Sequence, residues 1–242
     1  MCGRFVLDIP LPEIAELFDA EPSRANRVGP VEWTGDYNIT PAQTIPVVAN
    51  NGEGARTLVP MRWGLHPSWR EGPPSSRPLF NARTETVADK PSFRGAFRRR
   101  RALVPSNGFY EWKRVQGADG EVENLPYYIF DTRRPTFAFA GIWEMWTDPD
   151  DTPESEDAPP LSPLLSVATL TMPADGAMAA LHHRQPVRLD REHWAGWLAA
   201  EMDTEATLDA AIPSESLSYY RVGKAVNSGR AHGADLVEPL EE

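Results

Sequence analysis

The position of the one cysteine is the feature that most constrains this chain. Cys2 is the only cysteine among 242 residues, and it directly follows the initiator methionine. An internal disulfide is therefore excluded, and no group of cysteines and histidines has the spacing of zinc ligands. The chain must fold around its own core, and 41% hydrophobic residues is enough for a sizeable one. We predict one domain without a structural metal or a cofactor.

Cys2 is also a candidate nucleophile. Removal of Met1, which is usual before a small residue, would leave Cys2 with a free α-amine and a thiol on adjacent carbons. Their reference pKa values are about 7.7–8.0 and about 8.5, so each group is partly nucleophilic at neutral pH. Such an aminothiol can form a Schiff base with an aldehyde and then close to a thiazolidine. Two alternatives are a structural thiol in the first strand and an N-terminal nucleophile hydrolase of the amidotransferase type, which also begins Met-Cys-Gly.

Charge is distributed unevenly along the chain. The net charge of −11 argues against a protein that coats nucleic acid indiscriminately. Residues 61–113 nevertheless contain eleven Lys/Arg and four Asp/Glu, a net +7, which leaves −18 (−11 minus 7) on the remainder. Four of these arginines, Arg98–Arg101, are consecutive. Because guanidinium groups are costly to bury, we expect this run to open an apolar strand and to face solvent or a polyanion.

Alternating apolar residues and turn signals predict mainly antiparallel strands with short helices. We expect one α+β domain over residues 1–230, with an acidic loop insertion at 148–160 and a C-terminal tail at 231–242. Because no apolar run reaches about 18 residues and no leader is visible, we expect a soluble, intracellular protein. The predicted strands are 4–7, 44–49, 57–65, 127–130, 136–146, 164–172 and 219–222, and the predicted helices are 12–18, one starting in 80–86, 174–181 and 190–198.

Three side chains in the basic stretch have surroundings that indicate either a core position or a site. Trp63, within a strand, is expected to be buried. Trp69 lies in a loop with glycine and proline and is a candidate to stack on unpaired bases. Glu111 lies between aromatic residues at a predicted strand end, where desolvation would raise its pKa and suit it to proton transfer.

Five motifs together resemble the SOS response-associated peptidase family, and the resemblance extends from residue 1 to about residue 230. It implies a single domain of twisted, mainly antiparallel, barrel-like β-sheet with short peripheral helices, which holds single-stranded DNA in a basic cleft ending at the N-terminus. The motifs are Met1-Cys2-Gly3-Arg4-Phe5, Tyr37-Asn38-Ile39 with Pro41, Met61-Arg62-Trp63-Gly64-Leu65 with Pro67 and Trp69, Asn81-Ala82-Arg83 with Glu85-Thr86, and Gly108-Phe109-Tyr110-Glu111-Trp112.

The resemblance also implies roles for individual residues. Cys2 would be the crosslinking residue, Asn81 would hold the N-terminus and the sugar, Glu111 would be the acid/base carboxylate and His182 the catalytic histidine. The family pattern His-x-Arg-Met-Pro reads His182 to Pro186 here, with a glutamine in place of the methionine, and His183 is the alternative to His182. The residues expected to contact DNA are Arg4, Arg62, Trp69, Arg83, Arg98 and Thr171.

The function implied is that of a sensor of abasic sites in single-stranded DNA or at junctions between single strands and duplex. Cys2, once Met1 is removed, would form a covalent thiazolidine crosslink with the ring-opened sugar, and lyase and autoproteolytic activities are implied as well. We expect a cytoplasmic monomer, associated with the nucleoid in a bacterium, and no membrane partner. The alternatives are a cysteine peptidase acting on other proteins or amides, and a non-covalent reader of modified bases.

Overall fold

The computed structural model describes residues 2–23, 32–116, 120–148 and 163–240. Two mainly antiparallel sheets and a set of short helices make up this part of the chain, which confirms the predicted α+β class. The described strands are β1 Phe5–Leu7, β2 Glu21–Pro22, β3 Asp36–Ile39, β4 Thr44–Asn50, β5 Arg56–Trp63, β6 Asn81–Arg83, β7 Arg101–Ser106, β8 Gly108–Gln116, β9 Val122–Asp131, β10 Phe137–Trp146, β11 Leu164–Pro173, β12 Arg184–Pro186, β13 Arg188–Leu189 and β14 Leu217–Arg221; the described α-helices are α1 Leu11–Phe18, α2 Thr84–Val87, α3 Arg94–Arg99, α4 Trp194–Leu198 and α5 Thr204–Asp209.

Five strands close into a small barrel. β11 pairs with β10, β10 with β7, β7 with β4 and β4 with β5, all antiparallel, and a parallel pairing of β5 with β11 completes the ring. Trp63 of β5 and Phe139 of β10 are buried, as is Phe5 of the other sheet, whose ring lies 4.9 Å and 5.9 Å from theirs in edge-to-face contacts. The predicted burial of Trp63 is therefore confirmed, and one core joins the two sheets.

The second sheet has the order β14-β9-β8-β1-β3 and carries a smaller cluster of buried residues, in which Tyr110 and Tyr128 pack against Leu236. Gly108 is required beneath this cluster, because a Cβ there would lie 2.4 Å from the Tyr128 hydroxyl. Residues 231–240, expected as a tail, pack onto the domain: Leu236 is buried, and the Tyr220 hydroxyl donates to the Val237 carbonyl at 2.7 Å.

Strand β11 sets the spacing of the site residues. Ser166 of β11 lies opposite Arg62, Thr169 opposite Asn81 and Thr171 opposite Arg83. At about 3.3 Å per residue, these three positions span roughly 16 Å along one strand. Pairing with β11 therefore fixes the distance between Arg62 and Asn81, which are 19 positions apart in sequence.

The arginine run differs from its prediction. Arg98 and Arg99 end the helix α3 and are exposed, whereas Arg101 begins β7 with 3% exposure. The Arg101 guanidinium carbon lies 3.8 Å and 3.9 Å from the ring centroids of Phe97 and Trp197. The aromatic faces compensate the desolvation of this cation, although burial still lowers the pKa of Arg101 to about 10. The expectation that all four arginines face solvent was wrong for Arg101.

Three helix predictions also change in detail. Asn81–Arg83 extends as β6 because its backbone pairs with β11, and only then does α2 begin. Residues 174–181 contain a 3₁₀ helix, Gly176–Ala180, and 190–198 contain the 3₁₀ helix Arg191–His193 followed by α4. Of the 148–160 insertion, all but Asp148 lies outside the described residues. Among the described residues, no helix has the length and apolar character needed to cross a membrane.

Candidate active site at the amino terminus

A chain of hydrogen bonds fixes the backbone of Cys2. The Asn81 side-chain amide donates to the Cys2 carbonyl at 2.8 Å, and the Thr169 hydroxyl donates to Asn81 Oδ1 at 2.6 Å. The Cys2 thiol is 2% exposed and lies 3.7 Å from the Arg4 carbonyl. Burial raises the pKa of this thiol strongly, and the charge of Glu111 raises it further. The thiol is therefore protonated at neutral pH, and Glu111 is close enough to influence it.

Glu111 lies within β8, opposite Tyr127, rather than at a strand end as the sequence suggested. The strand continues because β9 pairs along its whole length. The side chain is 3% exposed, and burial raises the pKa of Glu111 to about 6. The expected direction of the shift is confirmed, and the carboxyl can exchange a proton near neutrality.

His182 is the neighbour of Glu111 on the other side of the cleft. Its Nδ1 lies 3.8 Å from Glu111 Oε1, 3.0 Å from the Arg184 backbone nitrogen and 3.1 Å from the Arg184 carbonyl oxygen. Burial lowers the pKa of His182, which favours the neutral imidazole. The ring of His183 is tilted against that of His182 with centroids 4.2 Å apart, and His183 is exposed.

Glu111 and His182 line an open cleft of about 510 Å³. Trp112, Asn124 and Asn227 line the same cleft. The Trp112 indole N–H donates to Asn227 Oδ1 at 2.6 Å. Asn124 has no distinguishing pattern in the sequence, and Asn227 follows the last strand without any motif around it, so neither residue was predicted at the site.

Arg184 supports the cleft from within the protein. Its guanidinium forms a bidentate pair with Glu85, with a 2.9 Å bond to Oε2, and it donates to the Thr171 carbonyl at 2.6 Å. These hydrogen bonds lower the pKa of Glu85 to about 2. Thr171, predicted to contact DNA, is fully buried and bonded within this network. The structure thus places Thr171 behind the cleft surface.

The arginines predicted to contact DNA occupy different environments. Arg83 is exposed and lies on the same face of β6 as Asn81, two residues away. Arg62 is half-buried, and its Nη1 donates to the Gly64 carbonyl at 3.1 Å. Arg4 is also half-buried, and its Nη1 bonds to Asn38 Oδ1 at 2.6 Å. Arg83 is therefore the most available of the three for phosphate.

Trp69 lines another cavity, which is rich in arginine. It is 64% exposed and shares a cavity of about 430 Å³ with Arg94, Arg99 and Arg100. Arg100 in turn pairs with Glu144 at 2.6 Å. Arg98 is exposed on the same helix but does not line this cavity. The sequence predicted that Arg98 contacts DNA, whereas the arginines of α3 that line the cavity with Trp69 are Arg94 and Arg99.

Across residues 2–23, 32–116, 120–148 and 163–240, no three side chains of His, Cys, Asp or Glu are grouped so that they could hold an ion.

The chain is similar in sequence to a family of known proteins. The model of the family described as SOS response associated peptidase (SRAP) matches residues 1–229. The chain belongs to this family. The abasic site processing protein YoqW of Bacillus subtilis is 32% identical over 98% of this chain and 99% of its own length. The abasic site processing protein HMCES of Pongo abelii is 27% identical over 100% of this chain and 77% of its own length.

A solved structure supports the fold independently of these names. A crystal structure of a protein from Bacteroides thetaiotaomicron superimposes with a TM-score of 0.77 over 99% of this chain and 100% of that one, at 20% identity. At this level of identity the similarity concerns the fold. The fold of two mainly antiparallel sheets is thus shared with that structure over 99% of this chain.

Proposed function

We propose that this SRAP protein processes abasic sites in single-stranded DNA by forming a covalent thiazolidine through Cys2. We base the proposal chiefly on the hydrogen-bond chain from Thr169 through Asn81 to the Cys2 carbonyl, which holds Cys2 close to Glu111. The names of the family relatives, which are abasic site processing proteins, agree with it.

The thiazolidine requires removal of Met1. While Met1 is attached, the Cys2 nitrogen belongs to a peptide bond and cannot form an imine. We propose that the chain removes Met1 itself, which would account for the peptidase name of the family. Met1 lies outside the described residues, so this step rests on the chemistry of the product rather than on a distance.

The order of bond formation follows from the pKa of the thiol. Because burial keeps the Cys2 thiol protonated, the α-amine is the first nucleophile. It adds to the C1′ aldehyde of the ring-opened sugar, and loss of one water gives an imine. The sulfur then adds to the imine carbon and its proton passes to the nitrogen, so the ring closes without an oxidant or reductant.

Glu111 and His182 are assigned the proton transfers. A carboxyl with a pKa of about 6 can donate a proton to the departing hydroxyl and recover one from the nitrogen as the neutral imine forms, and it can then carry the thiol proton to that nitrogen. His182, as a neutral imidazole, would donate and accept protons at the sugar in β-elimination or in reopening of the thiazolidine. The lyase activity would depend on this second set of transfers.

The DNA path would follow β11. Arg62, Asn81 and Arg83 are spaced along this strand, with the exposed Trp69 in the loop that follows β5. A stacking tryptophan and flanking arginines suit a strand whose bases are unpaired. Junctions between single strand and duplex would fit the same arrangement, with Trp69 against the last base pair.

Replacement of the nucleophile tests the proposal directly. Purified protein incubated with single-stranded DNA bearing one abasic site should give a heat-stable shifted band on a denaturing gel. Cys2→Ala should abolish the band while leaving the fold intact, because no other residue can close a thiazolidine. Cys2→Ser should give an adduct only after borohydride reduction. An unreduced adduct with Cys2→Ala would disprove the role of Cys2.

The DNA form is tested by binding at equal salt. Single strands and junctions should bind more tightly than intact duplex, and affinity should fall with salt because phosphate contacts release counterions. Trp69→Ala should weaken binding to single strands by about 1–3 kcal/mol, the usual contribution of stacking on one base. Fluorescence anisotropy provides the measurement, and equal affinities for duplex and single strand would argue against a stacking role for Trp69.

A further inference from the structure

The segment Arg221–Arg230 reaches the cleft of Glu111 and His182 and has an unusual charge for this chain. It contains Arg221, Lys224 and Arg230 and no acidic residue, whereas the whole chain has a net charge of −11. Lys224 pairs with Glu123. In the described part of the chain, Arg230 is exposed and has no carboxylate within ion-pair distance. A basic segment beside the cleft attracts a polyanion.

Buried polar contacts fix this segment to β3 and to Arg4, the residue before β1. Asn38 is fully buried, and its Nδ2 donates to the carbonyls of Ser228 at 3.0 Å and Ala231 at 2.7 Å. Its Oδ1 accepts from Arg4, whose Nη1 also donates to the Val226 carbonyl at 2.5 Å. Arg4 is two residues from Cys2. The backbone on either side of Asn227 is thus held in a set position relative to the nucleophile.

The Asn227 side chain has a defined orientation. The Trp112 indole nitrogen can only donate, so the amide atom that faces it at 2.6 Å is the oxygen. The Asn227 Nδ2 group, with two N–H donors, therefore points away from Trp112. Within the described residues this nitrogen has no acceptor, although the side chain lines the cleft. Two oriented donors are available to a ligand there.

An amide suits this position better than a cation would. A lysine or arginine in the same cleft would favour the ionised form of Glu111 and lower its pKa. Asn227 donates hydrogen bonds without adding a positive charge, so it does not lower the pKa of Glu111, which burial raises to about 6. The donor and the proton-transfer group can therefore work in the same cleft.

We propose that Asn227 Nδ2 donates to a phosphate oxygen of the DNA strand next to the abasic nucleotide, and so orients the sugar toward Cys2. This assignment rests on the proposed function and adds a residue and a ligand atom to it. Phosphate and sugar oxygens receive half to two-thirds of all protein–DNA hydrogen bonds. The basic segment Arg221–Arg230 attracts the DNA phosphates to the side of the cleft that Asn227 lines. Asn227 is a binding residue in this scheme, and Trp112 positions its amide.

The test uses a strand that binds but cannot react. Single-stranded DNA with one tetrahydrofuran abasic analogue lacks the aldehyde, so its Kd reports binding alone. Asn227→Ala should bind it about tenfold more weakly than wild type, as expected for a lost hydrogen bond to a charged group. Gln116→Ala, which removes an exposed amide five residues along the strand from Glu111, is the matched control and should bind like wild type.

A phosphate scan identifies the ligand atom. Uncharged methylphosphonate is placed at one flanking phosphate at a time, and Kd is measured for wild type and Asn227→Ala. At the contacted phosphate, wild type should lose affinity while Asn227→Ala loses little more. Equal Kd values for the two proteins, or equal losses for both at every phosphate, would overturn the assignment. Crosslinking of wild type to an aldehyde-bearing strand, measured in parallel, tests the proposed function separately.

Discussion

Two glutamates near Arg184 have opposite acidities. Glu111 is 3% exposed, and burial raises its pKa to about 6. Glu85 has a side chain that is 46% exposed and paired with Arg184, which lowers its pKa to about 2. Glu111 Oε1 lies 3.8 Å from His182 Nδ1, and Glu85 pairs with Arg184, two residues further along the chain. At neutral pH, Glu85 is fully ionised, whereas a fraction of Glu111 retains its proton.

The difference shows that the surroundings, more than the residue type, assign the chemistry. A carboxylate held by a guanidinium is a structural anchor, because its proton is gone at any pH at which the protein works. A carboxyl whose pKa is raised mainly by removal from water, as that of Glu111 is, keeps a proton available to a reacting group near neutral pH. We therefore expect substitutions at Glu111 to affect the rate of crosslinking and substitutions at Glu85 to affect stability.

The largest expected effect separates these two roles kinetically. Glu111→Gln should slow crosslink formation by about 10²–10⁴-fold, the usual contribution of a general acid–base group, because glutamine cannot transfer the proton. Glu85→Gln should crosslink at close to the wild-type rate. Time courses on denaturing gels at pH 7 measure both rates. A Glu111→Gln protein that crosslinks as fast as wild type would show that Glu111 does not transfer the proton.

A smaller effect is expected for the histidine pair. His182→Ala should reduce strand cleavage or crosslink reversal by about tenfold or more, and reduce the final crosslink yield less, because the imidazole acts at the sugar after the imine has formed. His183 is exposed, and His183→Ala should alter neither reaction. Quantifying the cleaved strand and the crosslink over time distinguishes the two. If His183→Ala reproduces the His182→Ala defect, the two roles are exchanged.

The smallest effect is the pH dependence of stability, where the two glutamates should have opposite signs. The folded chain holds the Glu111 proton more tightly than the unfolded chain does, so this contribution is complete below the ordinary pKa of 4.5 and is lost as pH rises through about 6. It should amount to about 2 kcal/mol. Glu85 contributes above pH 4.5 and loses its contribution as pH falls toward about 2. Because Glu85 is exposed, that contribution should stay below about 1 kcal/mol.

Urea denaturation at several pH values checks these signs. Between pH 4.5 and 7, the free energy of unfolding of wild type should fall relative to that of Glu111→Gln. Over the same range it should stay parallel to that of Glu85→Gln, and the two should converge only at lower pH. Parallel curves for wild type and Glu111→Gln from pH 4.5 to 7 would mean that the carboxyl is not desolvated in the folded protein.

The sequence was sufficient to identify strands, hairpins and most of the motifs of the site. The hairpin of β4 and β5 could be predicted because its residues alternate around an Asn-Asn-Gly turn. The aromatic neighbours of Glu111 were enough to give the direction of its pKa shift. Arg101 could not be predicted, because its burial depends on Trp197, which is distant in sequence. The same limit applies to Asn227, whose partner Trp112 is 115 residues away.

By itself, the sequence determined which reactive groups exist: one thiol beside a removable methionine, a carboxyl among aromatics, a histidine doublet and a basic stretch. These are properties of residue type and local order, and they are present before folding. The tertiary structure alone decided which groups meet and in what state. Asn81 reaches the Cys2 carbonyl because β6 pairs with β11, and burial in the folded chain lowers the pKa of His182. Hydrogen bonding and desolvation depend on separations of a few ångströms, and only the closed barrel and its long-range strand pairings set them.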